Sequence, residues 1–147
     1  MKPLSFFVAG VPVPKGSAKA FVVKGRAIVT QDNREKQKPW ASDISYTAAQ
    51  LTGNTKPSPE GIAITMQFYM PRPKSHLRVN GELTSRAPIH HISKPDLDKL
   101  VRCVLDALTG VVWNDDSQVV KIDAYKGYES PIIGTGVKIR ISEHRSE

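Results

Sequence analysis

Two stretches of the chain carry apolar residues at helical spacing, and six others read as strands. In residues 32–51, Trp40, Ile44, Ala48 and Leu51 share one side of a predicted helix, with Pro39 placed for its first turn. After residue 96, Leu97, Leu100, Val101, Val104, Leu105 and Leu108 follow the i, i+3, i+4, i+7 rhythm of a single buried face, and Gly110 supplies the stop. Asp96, preceded by Pro95, is the expected N-cap of this second helix. Asp98 falls in its first turn and points away from the apolar stripe, while Lys99, Arg102 and Asp106 take the polar side.

The strand segments are shorter. Residues 4–11, rich in Phe and Val, stop at Pro12 and Pro14. Residues 20–23 and 27–30 form a hairpin around Lys24-Gly25-Arg26. Residues 62–69 alternate, with Ile62, Ile64, Met66 and Phe68 on one face, and residues 119–124 and 136–142 finish the chain. Helices and strands mix without a strict βαβ order. The expectation is one α+β domain over residues 1–147, a mixed β-sheet with two main helices packed on it.

Between the strand 62–69 and Asp96 the periodicity fails. This interval holds four prolines, five Lys/Arg, three His and a single Glu. Loops of this length inside a domain are usually functional or disordered, so Lys74, Arg78 and Lys94 read either as a phosphate-contacting arm or as a solvated loop without a role.

Composition narrows the class. One cysteine, Cys103, excludes an internal disulfide and a thiolate zinc site, and makes a reducing, cytoplasmic setting the expectation. The apolar run at the amino end is broken by Pro12 after too few residues for a signal peptide, and nothing approaches the ~20 apolar residues of a membrane span. Charge is uneven: residues 1–95 carry fourteen Lys/Arg against five Asp/Glu, and residues 96–147 carry seven against nine. A basic body suits a polyanion, whose counterions are released as Lys and Arg neutralise phosphates.

Against this background, residues 94–120, KPDLDKLVRCVLDALTGVVWNDDSQVV, gather five of the fourteen acidic residues. Two accounts fit. In one, Asp96 and Asp98 oppose the helix macrodipole for about 0.3–1 kcal/mol each, and Asp115-Asp116 form a turn. In the other, DxD at the helix start and DD at the loop end converge. A hard divalent cation bound there takes oxygen ligands and leaves positions for phosphate and water. Carboxylates on a basic surface repel the phosphates that the surface attracts, and a bound cation removes the conflict. Spacing alone leaves both accounts open.

The run DLDKLVRCVLDALTGVVWNDDSQVV strongly resembles the RusA-type Holliday junction resolvases, especially phage and prophage forms. DxD opens a helix, an apolar continuation ends in DAL, and a W-x-D-D-x-Q-V turn leads into a strand. The likeness is densest over residues 94–123 and extends to GVPVPKGSAKAF near the amino end. It implies a RusA-like fold and a crossover junction endodeoxyribonuclease of DNA recombination and repair. Such an enzyme acts as a homodimer on four-way and other branched DNA, with Mg²⁺ or, in its place, Mn²⁺. Carried onto this chain, the metal ligands are Asp96, Asp98 and Asp116. The family's catalytic lysine, six residues after the first aspartate, is here Arg102, which keeps the charge and can fork onto phosphate but does not donate a proton as lysine does.

For Arg102 the alternative is an i, i+4 pair with Asp98 worth about 0.2–0.5 kcal/mol. Lys15, Lys74, Arg78, Lys94 and Lys99 are the expected DNA contacts, and Asp115 is expected to orient the ligands. His90 and His91 lack the partners of a zinc site, so phosphate contact or exposure is expected for both. The rival functions are a broader metal-dependent nuclease of flaps and branches, and a basic DNA-binding module without catalysis.

Overall fold

Strand β4 (Ile62–Met70) shows most directly how the pattern becomes structure. Ile62, Ile64, Met66, Phe68 and Met70 are all buried, and the residues between them are half-buried. In this computed structural model, which describes residues 1–145 except 17, 32, 33 and 54 and only the backbone at 18–21 and 29–31, β4 has a partner on each side. β6 (Gly136–Glu143) pairs with it antiparallel and β5 (Val119–Tyr128) parallel. β1 (Leu4–Ala9) pairs with the far side of β6, giving the order β1-β6-β4-β5. The sheet is therefore mixed, as the sequence implies.

A parallel pair needs a crossover connection. Here it contains the arm 71–96 and helix α2 (Leu97–Leu108). The predicted hairpin is present as a separate ribbon, β2 (Ala18–Val23) and β3 (Arg26–Gln31). Its two-residue turn, Lys24 at φ 51° and Gly25 at φ 76°, has the left-handed backbone that matches strand twist.

Helix α1 (Arg34–Thr52) buries Trp40, Ile44 and Ala48. The start expected at Asp32 lies outside the described residues. Leu51 and Pro39 depart from the expected pattern. Leu51 is 52% exposed, because the last turn of α1 runs past the core. Pro39 sits in the second turn, since the helix already begins at Arg34, so its missing N–H faces Glu35 near the helix end.

Helix α2 buries Leu100, Cys103, Val104, Leu105, Ala107 and Leu108 against the same core. Ser45 Oγ of α1 donates to the Ala107 carbonyl at 2.6 Å, tying the helices together. Burial, then the nearby Asp106 charge, pushes the Cys103 thiol up to about 11, so this side chain behaves as a core residue and not as a nucleophile.

The arm carries local structure of its own. A short 3₁₀ turn spans Lys74–His76, Arg78 N–H donates to the Glu82 carbonyl at 2.7 Å, and Thr84 N–H donates to the His76 carbonyl at 3.0 Å. The Arg72 guanidinium lies 3.8 Å over the Tyr128 ring, and the rings of His76 and His91 pack on the same tyrosine. His91, expected at the surface, is only 9% exposed. Its packing against the Tyr128 ring buries it, whereas His90 is exposed.

Candidate active site

The apolar stripe of α2 fixes which of its residues face outward: Asp96, Asp98, Lys99, Arg102 and Asp106. Asp96 occupies the N-cap position, with φ −71° and ψ 142°, yet its carboxylate makes no capping hydrogen bond. The cap expected from the sequence is thus positional only: the Asp96 carbonyl accepts from Leu100 N–H at 3.2 Å, but its carboxylate accepts from no helix N–H. Upstream, the Lys126 ammonium donates to the Ser93 carbonyl at 2.8 Å and the Pro95 carbonyl at 2.7 Å. These bonds from β5 hold the last residues of the arm where they deliver Asp96 to the helix start.

At the other end, Thr109 closes α2 and Gly110, at φ 85°, lets the chain reverse. The reversed turn is anchored by buried Trp113 and by the Ser58 N–H, which donates to the Val112 carbonyl at 2.8 Å. The two aspartates that follow have different work. Asp115 caps the short 3₁₀ turn Asp116–Gln118: its carboxylate accepts from Ser117 N–H at 2.9 Å, and the Gln118 side chain accepts from Asp115 N–H at 2.8 Å. Those hydrogen bonds from Ser117 hold the Asp115 carboxyl below the usual carboxylate range.

Asp116 instead turns back toward α2. Its Oδ2 accepts from Arg102 Nη1 at 2.7 Å, and its Oδ1 accepts from the Thr109 hydroxyl, which in turn accepts from Trp113 Nε1 at 3.1 Å. Arg102 Nη1 also lies 3.4 Å from Asp106 Oδ1, and Lys15 Nζ donates to Asp106 Oδ2 at 2.7 Å. The Arg102 partners are therefore Asp106 and Asp116, and the i, i+4 pair with Asp98 considered from the sequence is not the one formed.

The amino-terminal proline segment completes the groove. Gly10, at φ 134°, runs close to the Trp40 ring: a Cβ there would meet the ring at 3.3 Å. Five residues on, Lys15 N–H donates to the Lys99 carbonyl at 3.0 Å, so the segment bridges α1 and α2. Two clefts open along this bridge and share Lys15 and Lys99. One, about 510 Å³, has Asp96, Lys36 and Lys94 on its walls; the other, about 370 Å³, has Asp98 and Arg102. Lys74 and Arg78 are exposed on the arm and line neither cleft.

Among the described residues, no three His, Cys, Asp or Glu side chains stand close enough to form one metal coordination sphere. The oxygen-only donor set of Asp96, Asp98 and Asp116 suits a hard divalent cation. In this arrangement, however, Asp116 is engaged by Arg102 and Thr109. Sequence reasoning missed Asp106, Thr109, Lys36 and Lys126. Asp106, Thr109 and Lys126 act through partners in other segments, and Lys36 reaches the cleft from α1, which leaves no local pattern to read.

Carboxylates set among cations on an open groove, in a basic α+β protein, are the equipment of an enzyme that works on the phosphodiesters of a polyanion. Residues 9–142 match the family described as Endodeoxyribonuclease RusA, and the chain belongs to that family of Holliday junction endonucleases. It is also similar to the uncharacterized protein YqaN of Bacillus subtilis (strain 168), 28% identical over 130 residues that cover 87% of this chain and 89% of that protein. The four-stranded mixed sheet with two helices agrees with a RusA-like fold.

Proposed function

We propose that this protein is a metal-dependent endonuclease that resolves four-way DNA junctions by paired phosphodiester hydrolysis, acting as a homodimer in the cytoplasm. The observation that carries the reading is the 2.7 Å bond between Arg102 and Asp116. It sets the DD segment against the outward face of the helix that the DxD segment opens. Asp96, Asp98 and Asp116, which do not stand in one coordination sphere in this arrangement, would have to be drawn together to hold Mg²⁺, with Mn²⁺ able to replace it, and the cation would polarise the scissile phosphate and make water a better nucleophile there.

The chain's own groups account for the rest. A guanidinium has five N–H donors, so Arg102, with carboxylates at one nitrogen, keeps donors for the phosphoryl oxygens on which charge builds during cleavage. Asp106 holds Arg102 and Lys15 in place. Lys15, Lys94 and Lys99 line the groove and take the DNA backbone, while Lys74 and Arg78 extend the contact along the arm. A junction of near-twofold symmetry requires matching nicks in opposed strands. One groove serves one strand at a time, and a twofold dimer supplies two.

The test is incubation of the purified protein with labelled four-way junction, duplex and flap DNA, in Mg²⁺ or in EDTA. Paired symmetric cuts in the junction, abolished by EDTA, support the reading. Cuts mainly in flaps favour a broader nuclease, and junction binding without any cut favours a DNA-binding module.

A further inference from the structure

The larger cleft beside Asp96 has a composition that phosphate binding alone does not explain. Four lysines surround it, Lys15, Lys36, Lys94 and Lys99, but between them lies an apolar recess formed by Val11, Val13, Pro14 and Met70. Val11 is 55% exposed there. Backbone phosphates are neutralised by cations on an open surface and do not need an apolar hollow beneath them. A volume of about 510 Å³ falls within the range of sites that enclose a small organic group. The walls are also fixed in advance, by the close approach of Gly10 to Trp40 and by the Lys15–Lys99 backbone bond on one side, and by Lys126 on the other.

We propose that this cleft receives one unpaired nucleotide next to the scissile phosphate, an inference that rests on the junction-nuclease reading above. The base lies on the aliphatic and proline surface, while its flanking phosphates meet the lysine rim and the strand continues past Asp96. A paired base does not fit, since its partner and stacked neighbours keep it out of a concave site. Unstacking costs a few kcal/mol in duplex and least where pairing is already broken, so the cleft favours nucleotides at a branch point over those in uniform duplex. It thereby links branch recognition to the position of the cut.

The test uses the full chain in EDTA with four-way junctions that carry a single 2-aminopurine at successive positions around the crossover. Protein is added until a gel shift shows every junction bound. The wild type is expected to raise the fluorescence at a position adjoining the mapped cut and not at distant positions. Val11→Asp, at an exposed site, is expected to lose that rise on fully bound junctions, and Val11→Leu to keep it. Lys36→Ala is expected to weaken junction binding without moving the responsive position. No responsive position in a wild type that cuts junctions normally would overturn this inference alone, as would a rise that survives Val11→Asp. A wild type that neither binds nor cuts junctions would overturn the functional reading and this inference with it.

Discussion

Arg102 Nη1 stands between two carboxylates, 2.7 Å from Asp116 Oδ2 and 3.4 Å from Asp106 Oδ1. The arginine side chain is 45% exposed, and pairs of this kind contribute only about 0–1 kcal/mol to stability. Their consequence is positional: carboxylates from α2 and from the return turn meet at one nitrogen of the guanidinium and orient that side of it, which leaves its other donors toward the groove.

If that orientation serves the reaction, Arg102→Ala slows single-turnover junction cleavage by roughly a hundredfold, the loss typical of removing one donor to a developing oxyanion. Arg102→Lys retains much of the rate, because the charge remains. Lys99→Ala is the comparison: were it the more damaging change, the clamp would belong to Lys99. Rates measured at saturating enzyme settle the matter, and a near-normal Arg102→Ala rules out the clamp.

The two adjacent aspartates separate cleanly. Asp115→Asn keeps measurable cleavage, since an amide oxygen still accepts from Ser117 N–H and preserves the turn. Asp116→Asn loses the charge that engages Arg102 and abolishes cleavage while junction binding persists. The opposite pattern, with Asp115→Asn dead and Asp116→Asn active, shifts the assigned ligand by one residue.

Thr109 joins buried Trp113 to Asp116 through one hydroxyl. Thr109→Val keeps the shape and removes that link, so Mn²⁺ binding by calorimetry and cleavage each fall by about 10–100-fold, the usual cost of losing a group that orients a metal ligand. Thr109→Ser restores both. If Thr109 only ends the helix, the melting temperature falls while Mn²⁺ affinity stays at the wild-type value.

His91 gives a dependence on pH. Burial, then the Lys126 charge, holds its pKa below 6.5. Below about pH 6.5 the unfolded chain therefore takes up a proton at this position that the folded chain refuses. Its contribution to stability is intact above that pH and is lost as the pH falls toward the folded value. In thermal melts from about pH 8 to 5, the wild type loses stability more steeply on the acid side than His91→Gln. Parallel curves contradict the buried placement.

The sequence made α2 legible almost to the residue, because a six-residue apolar stripe and a following glycine leave one helical solution. β4 was legible for the same reason, its alternation surviving as alternating burial. Less was legible where two distant segments meet. The Lys15–Asp106 bond joins residues 91 apart, and nothing near either predicts it. The arm defied pattern reading because Arg72, His76 and His91 are organised by Tyr128, on a strand that follows α2. The aspartates were legible as a group, but their division of labour was not. Asp115 and Asp116 are chemically alike, and only the turn geometry sends one to Ser117 and the other to Arg102.

The central claim is that the carboxylates of α2 and its return turn do chemistry on branched DNA, beyond serving caps and turns. Its most direct measurement compares wild type with Asp96→Asn, Asp98→Asn and Asp116→Asn on one labelled four-way junction, recording binding by gel shift in EDTA and cleavage after Mg²⁺ is added. Paired symmetric cuts by the wild type, and intact binding without cuts in all three variants, are the predicted result. Cleavage at the wild-type rate in any variant would contradict the assignment of that aspartate, and a wild type that binds the junction but never cuts it would contradict the account as a whole.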